Sequence, residues 1–236
     1  MGTWVSYLDE QQPLEGYLAA PARARDMPGV LVVPSWLNVN ESICRRADRL
    51  AELGYAAFVA DLFGSGVRPA PPESPMTVVG PFLNDRLRFR RRLSAGLRAF
   101  QQRPECDADR VAAIGYCIGG CGVLELARAG GPLRGVVSLH GILTTPMAAQ
   151  PKTVVSKILV LHGDADTVVP LESVIAFRAE MRLARANWQI NIYSDAKHSF
   201  TGEGAVGDRT PEAGFHPQTD ARSWQTTVEF LQEVFE

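Results

Sequence analysis

Six apolar runs of strand length, 28–36 (PGVLVVPSW), 54–63 (GYAAFVADLF), 109–116 (DRVAAIGY), 133–141 (LRGVVSLHG), 156–164 (SKILVLHGD) and 188–195 (WQINIYSD), alternate with longer segments of helical period. Runs that are apolar at every position, rather than at every second one, belong to strands covered on both faces, and helices between them make the connections parallel. Helices are expected near 41–53, 84–103, 118–129, 171–186 and 219–235. The N-terminal WVSYLDEQQPLEGYLAAP alternates around a polar turn and reads as an antiparallel hairpin on the sheet edge. The expected fold class is therefore α/β: an open, mostly parallel sheet of about eight strands with helices on both faces. The whole chain, 1–236, is expected to be a single domain. Two stretches, 64–82 and 199–218, read as long irregular loops.

Composition narrows the function classes. The chain is 46% hydrophobic and 21% charged with a formal net charge of −2, which argues against a dedicated nucleic-acid or anionic-membrane binder. Its start lacks the basic end and apolar run of a signal peptide, and no apolar run is long enough for a membrane helix, so a cytoplasmic location is expected. The four cysteines form no CxxC pair and no zinc-like His/Cys cluster, so no metal is expected. In the 84–103 segment, Arg86, Arg88, Arg90, Arg91, Arg92, Arg98 and Arg103 are interleaved with Leu87, Phe89, Leu93, Leu97 and Phe100. That pattern predicts an apolar face on the sheet and a solvated arginine face.

The chemistry centres on Gly115-Tyr116-Cys117-Ile118-Gly119-Gly120, a G-x-nucleophile-x-G turn between strand and helix with cysteine as the nucleophile. Glycines there remove side chains that would collide in a strained turn, and the helix N-terminus favours negative charge on sulfur. A thiol with a pKa near 8.5 is only about 3% ionised at pH 7, whereas lowering it by about two units makes it roughly three-quarters thiolate. The order nucleophile, acid, histidine then points to loops after later strands. DADTVVP supplies Asp164 and Asp166, and DAK is followed by His198. Asp166 is preferred because Asp164 lies nearer the strand end, where an aspartate bonds the amides of its own turn.

LEGYLAAP, ADRLAELGYAAFVADLFG, IGYCIGG, GDADTVVP and HSF, in this order from about residue 14 to 235, resemble the dienelactone hydrolases (carboxymethylenebutenolidases) of the α/β-hydrolase fold. The resemblance implies a Cys117-His198-Asp166 triad that hydrolyses esters or lactones through a thioester, without a cofactor. Two positions depart from the family pattern. Where the family carries a glutamate after the second strand that holds the resting thiol, this chain reads PSWLN, with Ser35 in that place and Glu41 six residues on. Where the founding enzymes carry a carboxylate-binding arginine soon after the histidine, this chain reads SFTGEG.

On this reading the backbone N–H groups of Ile118 and Trp36 hold the oxyanion, His198 moves protons and Asp166 orients it. Ser35, Leu37, Phe63 and His140, all near strand ends, are candidates for the substrate pocket, with core packing an equal reading for Phe63 and a backbone-bonded role the leading one for His140. The 199–218 loop, with Glu203, Asp208 and Glu212, is a candidate cover. Cys121 is expected to pack on the buried side of its helix, Cys44 and Cys106 to be inert, His162 to be buried and His216 to lie in the long loop, with no partner assigned to it. The partner is a small-molecule ester or lactone, and the chain is a monomer or homodimer. Acyl transfer to another acceptor and a non-catalytic ligand-binding module are the alternatives, and a dinucleotide site is the weakest rival because GYCIGGCG lacks the required glycine order.

Overall fold

The computed structural model describes residues 2–202 and 212–236. Its centre is one eight-stranded sheet in the order β1-β2-β4-β3-β5-β6-β7-β8. β1 (Thr3–Asp9) and β2 (Gln12–Ala19) form the antiparallel hairpin at one edge, and β2 runs antiparallel to β4 (Ala56–Val59). β3 (Met27–Val33), β4, β5 (Cys106–Tyr116), β6 (Gly135–Leu139), β7 (Lys157–Gly163) and β8 (Trp188–Tyr193) are mutually parallel. The open, mostly parallel eight-stranded sheet expected from the apolar runs is present.

Each central strand buries both faces. On one side Leu31, Phe58, Ala113, Val136 and Val160 meet side chains of α3 (Arg86–Gln101), α4 (Ile118–Arg128) and α5 (Leu171–Ala184), among them Phe89, Leu124 and Phe177. On the other side Val30, Val32, Ile114, Val137 and Leu161 meet Ile43 and Leu50 of α1 (Glu41–Glu52) and Phe230 and Leu231 of α6 (Pro217–Phe235). This two-sided cover explains why the strands lack a polar alternation. At about 1.5–3 kcal/mol per fully buried large apolar side chain, the core outweighs any single surface ion pair of the helices.

Two sequence expectations need correction. The 64–82 stretch is not wholly irregular, since α2 (Pro75–Asn84) occupies its end, with Pro75 in the first turn, Pro81 inside and Phe82 buried against Phe89. The arginine face of α3 is not uniformly solvated. Arg86 and Arg92 are buried, and Leu87, expected on the apolar face, is exposed. Arg92 donates to Asp9 and to the Leu62 carbonyl, and Arg90 pairs with Glu125 at 2.7 Å. A buried guanidinium is tolerated when its donors meet carboxylates and carbonyls, which a helical pattern alone does not reveal.

The chain turns to opposite sides of β3 and β5, so the carboxyl ends of these neighbouring strands form the crevice where open α/β sheets bind ligands. The loop after β3 carries Trp36, and the turn after β5 carries Cys117.

Candidate active site

Cys117 sits between β5 and α4 at φ 55° and ψ −116°, a backbone conformation that costs a β-carbon-bearing residue on the order of 1–3 kcal/mol. Close approach on both sides explains the flanking glycines. A Cβ on Gly115 would lie 2.1 Å from the Gly119 carbonyl oxygen, and one on Gly119 would lie 2.2 Å from that of Val33. Any larger residue would push α4 off the strand ends. The turn places the Cys117 Sγ 3.3 Å from His198 Nε2.

His198 follows β8 and is held by two backbone bonds: its N–H donates to the Glu212 carbonyl, and its own carbonyl accepts from Gly214. Its Nδ1 lies 2.9 Å from Asp166 Oδ2, while Asp166 Oδ1 accepts the Val168 and Val169 N–H groups at 3.0 and 2.8 Å. A carboxylate fixed in this way accepts a hydrogen bond from Nδ1–H and leaves Nε2 facing the sulfur. Asp164 is exposed, its backbone N–H donates to the Tyr193 carbonyl at the end of β8, and it is Asp166 whose carboxylate meets His198. Burial works against charge on His198, but the Cys117 sulfur, followed by Asp166, outweighs it and pushes the imidazole pKa up to about 10.

The amides of Ile118 and Trp36 meet no hydrogen-bond acceptor among the described residues. Ile118 opens α4, where N–H groups have no intrahelical partner. The loop bearing Trp36 is fixed by Asn38, a residue the sequence reading missed. Asn38 is fully buried at φ 58°, donates to Asp61 Oδ1 at 2.7 Å and to the Val67 carbonyl, and accepts from the Leu62 N–H. Asparagine's tolerance of the left-handed region was the available signal in WLNVN.

A cavity of about 830 Å³ is lined by Tyr116 and Ser199, the chain neighbours of Cys117 and His198, but not by Cys117 or His198 themselves. Ser35, Leu37 and His140 line it, whereas Phe63 does not. The Phe63 ring is turned into the core, 5.9 Å from Phe82 of the unforeseen α2. The lining carries Arg45, Arg46 and Arg68 against one carboxylate, Glu41, whose 87% exposed side chain pairs with Arg45. Of the candidate cover, residues 203–211, with Glu203 and Asp208, lie outside the described residues.

The remaining thiols and histidines have structural placements. Burial raises the Cys44 and Cys121 thiols to about 11 and Cys106 to about 12, which keeps them protonated and unreactive. His162 is buried on β7. The partner of His216, unassigned from the sequence, is the Thr219 N–H, which its Nδ1 accepts to cap α6. Among the described residues no helix is long and apolar enough to cross a membrane.

The profile of the dienelactone hydrolase family matches residues 14–235. The chain belongs to that family. A solved dienelactone hydrolase-like promiscuous phosphotriesterase from metagenomic libraries is 33% identical and superposes with a TM-score of 0.93, covering 100% of this chain and 99% of its own. An uncharacterized Caenorhabditis elegans protein is 37% identical over 147 residues, 61% of this chain and 92% of that relative. A carboxymethylenebutenolidase homolog of Mus musculus is 28% identical over 157 residues, 65% of this chain and 62% of that relative. Among dienelactone hydrolase family members this chain thus has full-length structural relatives, and its sheet and strand-end loops are those of an α/β-hydrolase.

Proposed function

We propose that this family member is a cysteine-dependent hydrolase of small esters or lactones that works through a thioester. The observation that carries the reading is the continuous chain Cys117 Sγ to His198 Nε2 at 3.3 Å and His198 Nδ1 to Asp166 Oδ2 at 2.9 Å, with the sulfur on a strained turn at a helix start. The thiolate attacks the carbonyl carbon, and the carbonyl electron pair moves to oxygen, where the Ile118 and Trp36 N–H groups receive it. Collapse of this intermediate expels the alkoxide, which takes the proton from the His198 imidazolium, and leaves an acyl group on sulfur. His198 then removes a proton from water, hydroxide adds to the thioester, and the thiolate departs with the acid formed.

Activation needs no glutamate at position 35. The His198 imidazole, its pKa raised by the neighbouring sulfur and Asp166, and the α4 N-terminus both favour negative charge on the sulfur in its place. Esters and lactones are favoured over amides because thiolate is a better leaving group than an amine, so attack on an amide reverts unless nitrogen is protonated first. The 33% identity to a phosphotriesterase over the full chain favours a second electrophile, phosphorus in a neutral triester, for the same sulfur.

The test is hydrolysis of aryl esters, lactones, dienelactone and an aryl phosphotriester by the wild type and Cys117→Ala, with intact-mass detection of adducts. Turnover that disappears in the variant, with an acyl or phosphoryl adduct on Cys117, supports the reading and ranks the two electrophiles. Turnover that survives in Cys117→Ala overturns it.

A further inference from the structure

His140, at the end of β6, is tied to the nucleophile's own backbone. It sits at φ 40°, and its N–H donates to the Leu161 carbonyl at 2.9 Å. Its Nδ1 accepts the Cys117 amide N–H at 3.2 Å, a donor shared with the Leu139 carbonyl at 3.1 Å. Its Nε2 lies 2.8 Å from Thr201 Oγ1. A ring nitrogen that accepts an amide N–H carries no proton, so the hydrogen-bond network assigns the single ring proton to Nε2, which donates it to Thr201. The chain continues, since the Thr201 carbonyl accepts from Arg46 Nη2 at 3.1 Å and the same nitrogen meets Asp220 Oδ1 of α6 at 2.6 Å. His140, Thr201, Arg46 and Asp220 are 2%, 7%, 3% and 8% exposed, so water does not compete for these bonds.

Resting on the thiol-hydrolase reading, we propose that His140, held as the neutral Nε2–H tautomer between the Cys117 amide and Thr201, is a positioning residue that sets the Cys117 turn and the His198 loop against each other. Thr201 lies three positions beyond His198, and the His140 ring packs edge-on against both His198 and Phe200, with centroids 5.4 and 5.0 Å away. One side chain thereby touches the amide of the nucleophile and the loop of its base. A proton on Nδ1 would put donor against donor at Cys117. Burial, followed by His198, holds the imidazole pKa of His140 well below its usual value, with Arg46 and His162 acting in the same direction.

Thr201→Val keeps the side-chain shape and leaves the buried Nε2–H without its acceptor, and Thr201→Ser restores it. Three readouts apply: long-range ¹⁵N–¹H spectra of the imidazole, the rate of Cys117 alkylation by iodoacetamide from about pH 5 to 9, and kcat and KM on 4-nitrophenyl acetate. In the wild type the His140 proton is expected on Nε2. Thr201→Val is expected to lose about 10- to 100-fold in kcat with KM within about twofold and an altered alkylation profile, and Thr201→Ser to recover most of the loss, at matched melting temperatures. A wild-type proton on Nδ1, a Thr201→Val kcat within about twofold of wild type, or no recovery in Thr201→Ser overturns the proposal. The spectra and the alkylation need no substrate, so they remain decisive if Cys117→Ala retains esterase turnover and the hydrolase reading itself fails.

Discussion

Cys117 Sγ and His198 Nε2 lie 3.3 Å apart although 81 positions separate them in the chain. The strained turn after β5 and the pinned loop after β8 bring them together at the carboxyl ends of parallel strands. Their closeness makes the protonation of the ring depend on the sulfur.

Removing the sulfur therefore lowers the pKa of His198. The thiolate is the largest influence raising that pKa to about 10, and in Cys117→Ala only Asp166 remains to oppose burial. An NMR titration of the imidazole should show a clear drop in the variant, and an unchanged value would mean that the pair is not charged at rest. In the wild type the imidazolium loses its proton as pH rises through about 10, so protonation of the leaving alkoxide, and with it kcat, should fall on that alkaline limb.

Asp166→Asn should reduce kcat by about 10³- to 10⁴-fold with little change in KM. The amide cannot stabilise the imidazolium as the carboxylate does, and it leaves the ring free to adopt the other tautomer. Steady-state kinetics on an aryl ester measure this, and a loss confined to KM would contradict the assigned role.

Asn38→Ala should destabilise the protein by about 2–4 kcal/mol, because the Leu62 N–H and one Asp61 carboxylate oxygen each lose a buried partner and alanine is strained at φ 58°. Urea unfolding measures the loss. Since the same loop carries the Trp36 amide, kcat at a temperature where the variant is folded should fall as well.

Glu125→Leu tests the buried charges beside α4. Glu125 is fully buried and pairs with Arg90 at 2.7 Å and Arg128 at 3.2 Å, with Arg86 at 4.0 Å. Removing the carboxylate strands three guanidinium groups around one further acid, Glu180, and should cost about 3–5 kcal/mol in stability. Thermal and urea unfolding check this, and a loss below about 1 kcal/mol would show that water or backbone carbonyls already satisfy the arginines.

The sequence by itself determined the sheet and the reactive turn. Strands apolar on both faces and a Gly-x-Cys-x-Gly turn are local signals, since each follows from what neighbouring residues can do. Helix α2 escaped that reading because its Pro75 and Pro81 are punctuation signals, while the reason to be helical, Phe82 against Phe89 and Phe63, lies in other segments. The buried Arg86 and Arg92 escaped it because their carboxylate and carbonyl partners come from β1, α4 and distant loops. Tertiary structure alone decided that Asn38 braces the loop bearing Trp36, that Phe63 turns away from the cavity, and that the backbone group His140 bonds is the amide of Cys117. These are contacts between strand-end loops, and their distances depend on how the sheet stacks its strands rather than on any property of the residues taken in order.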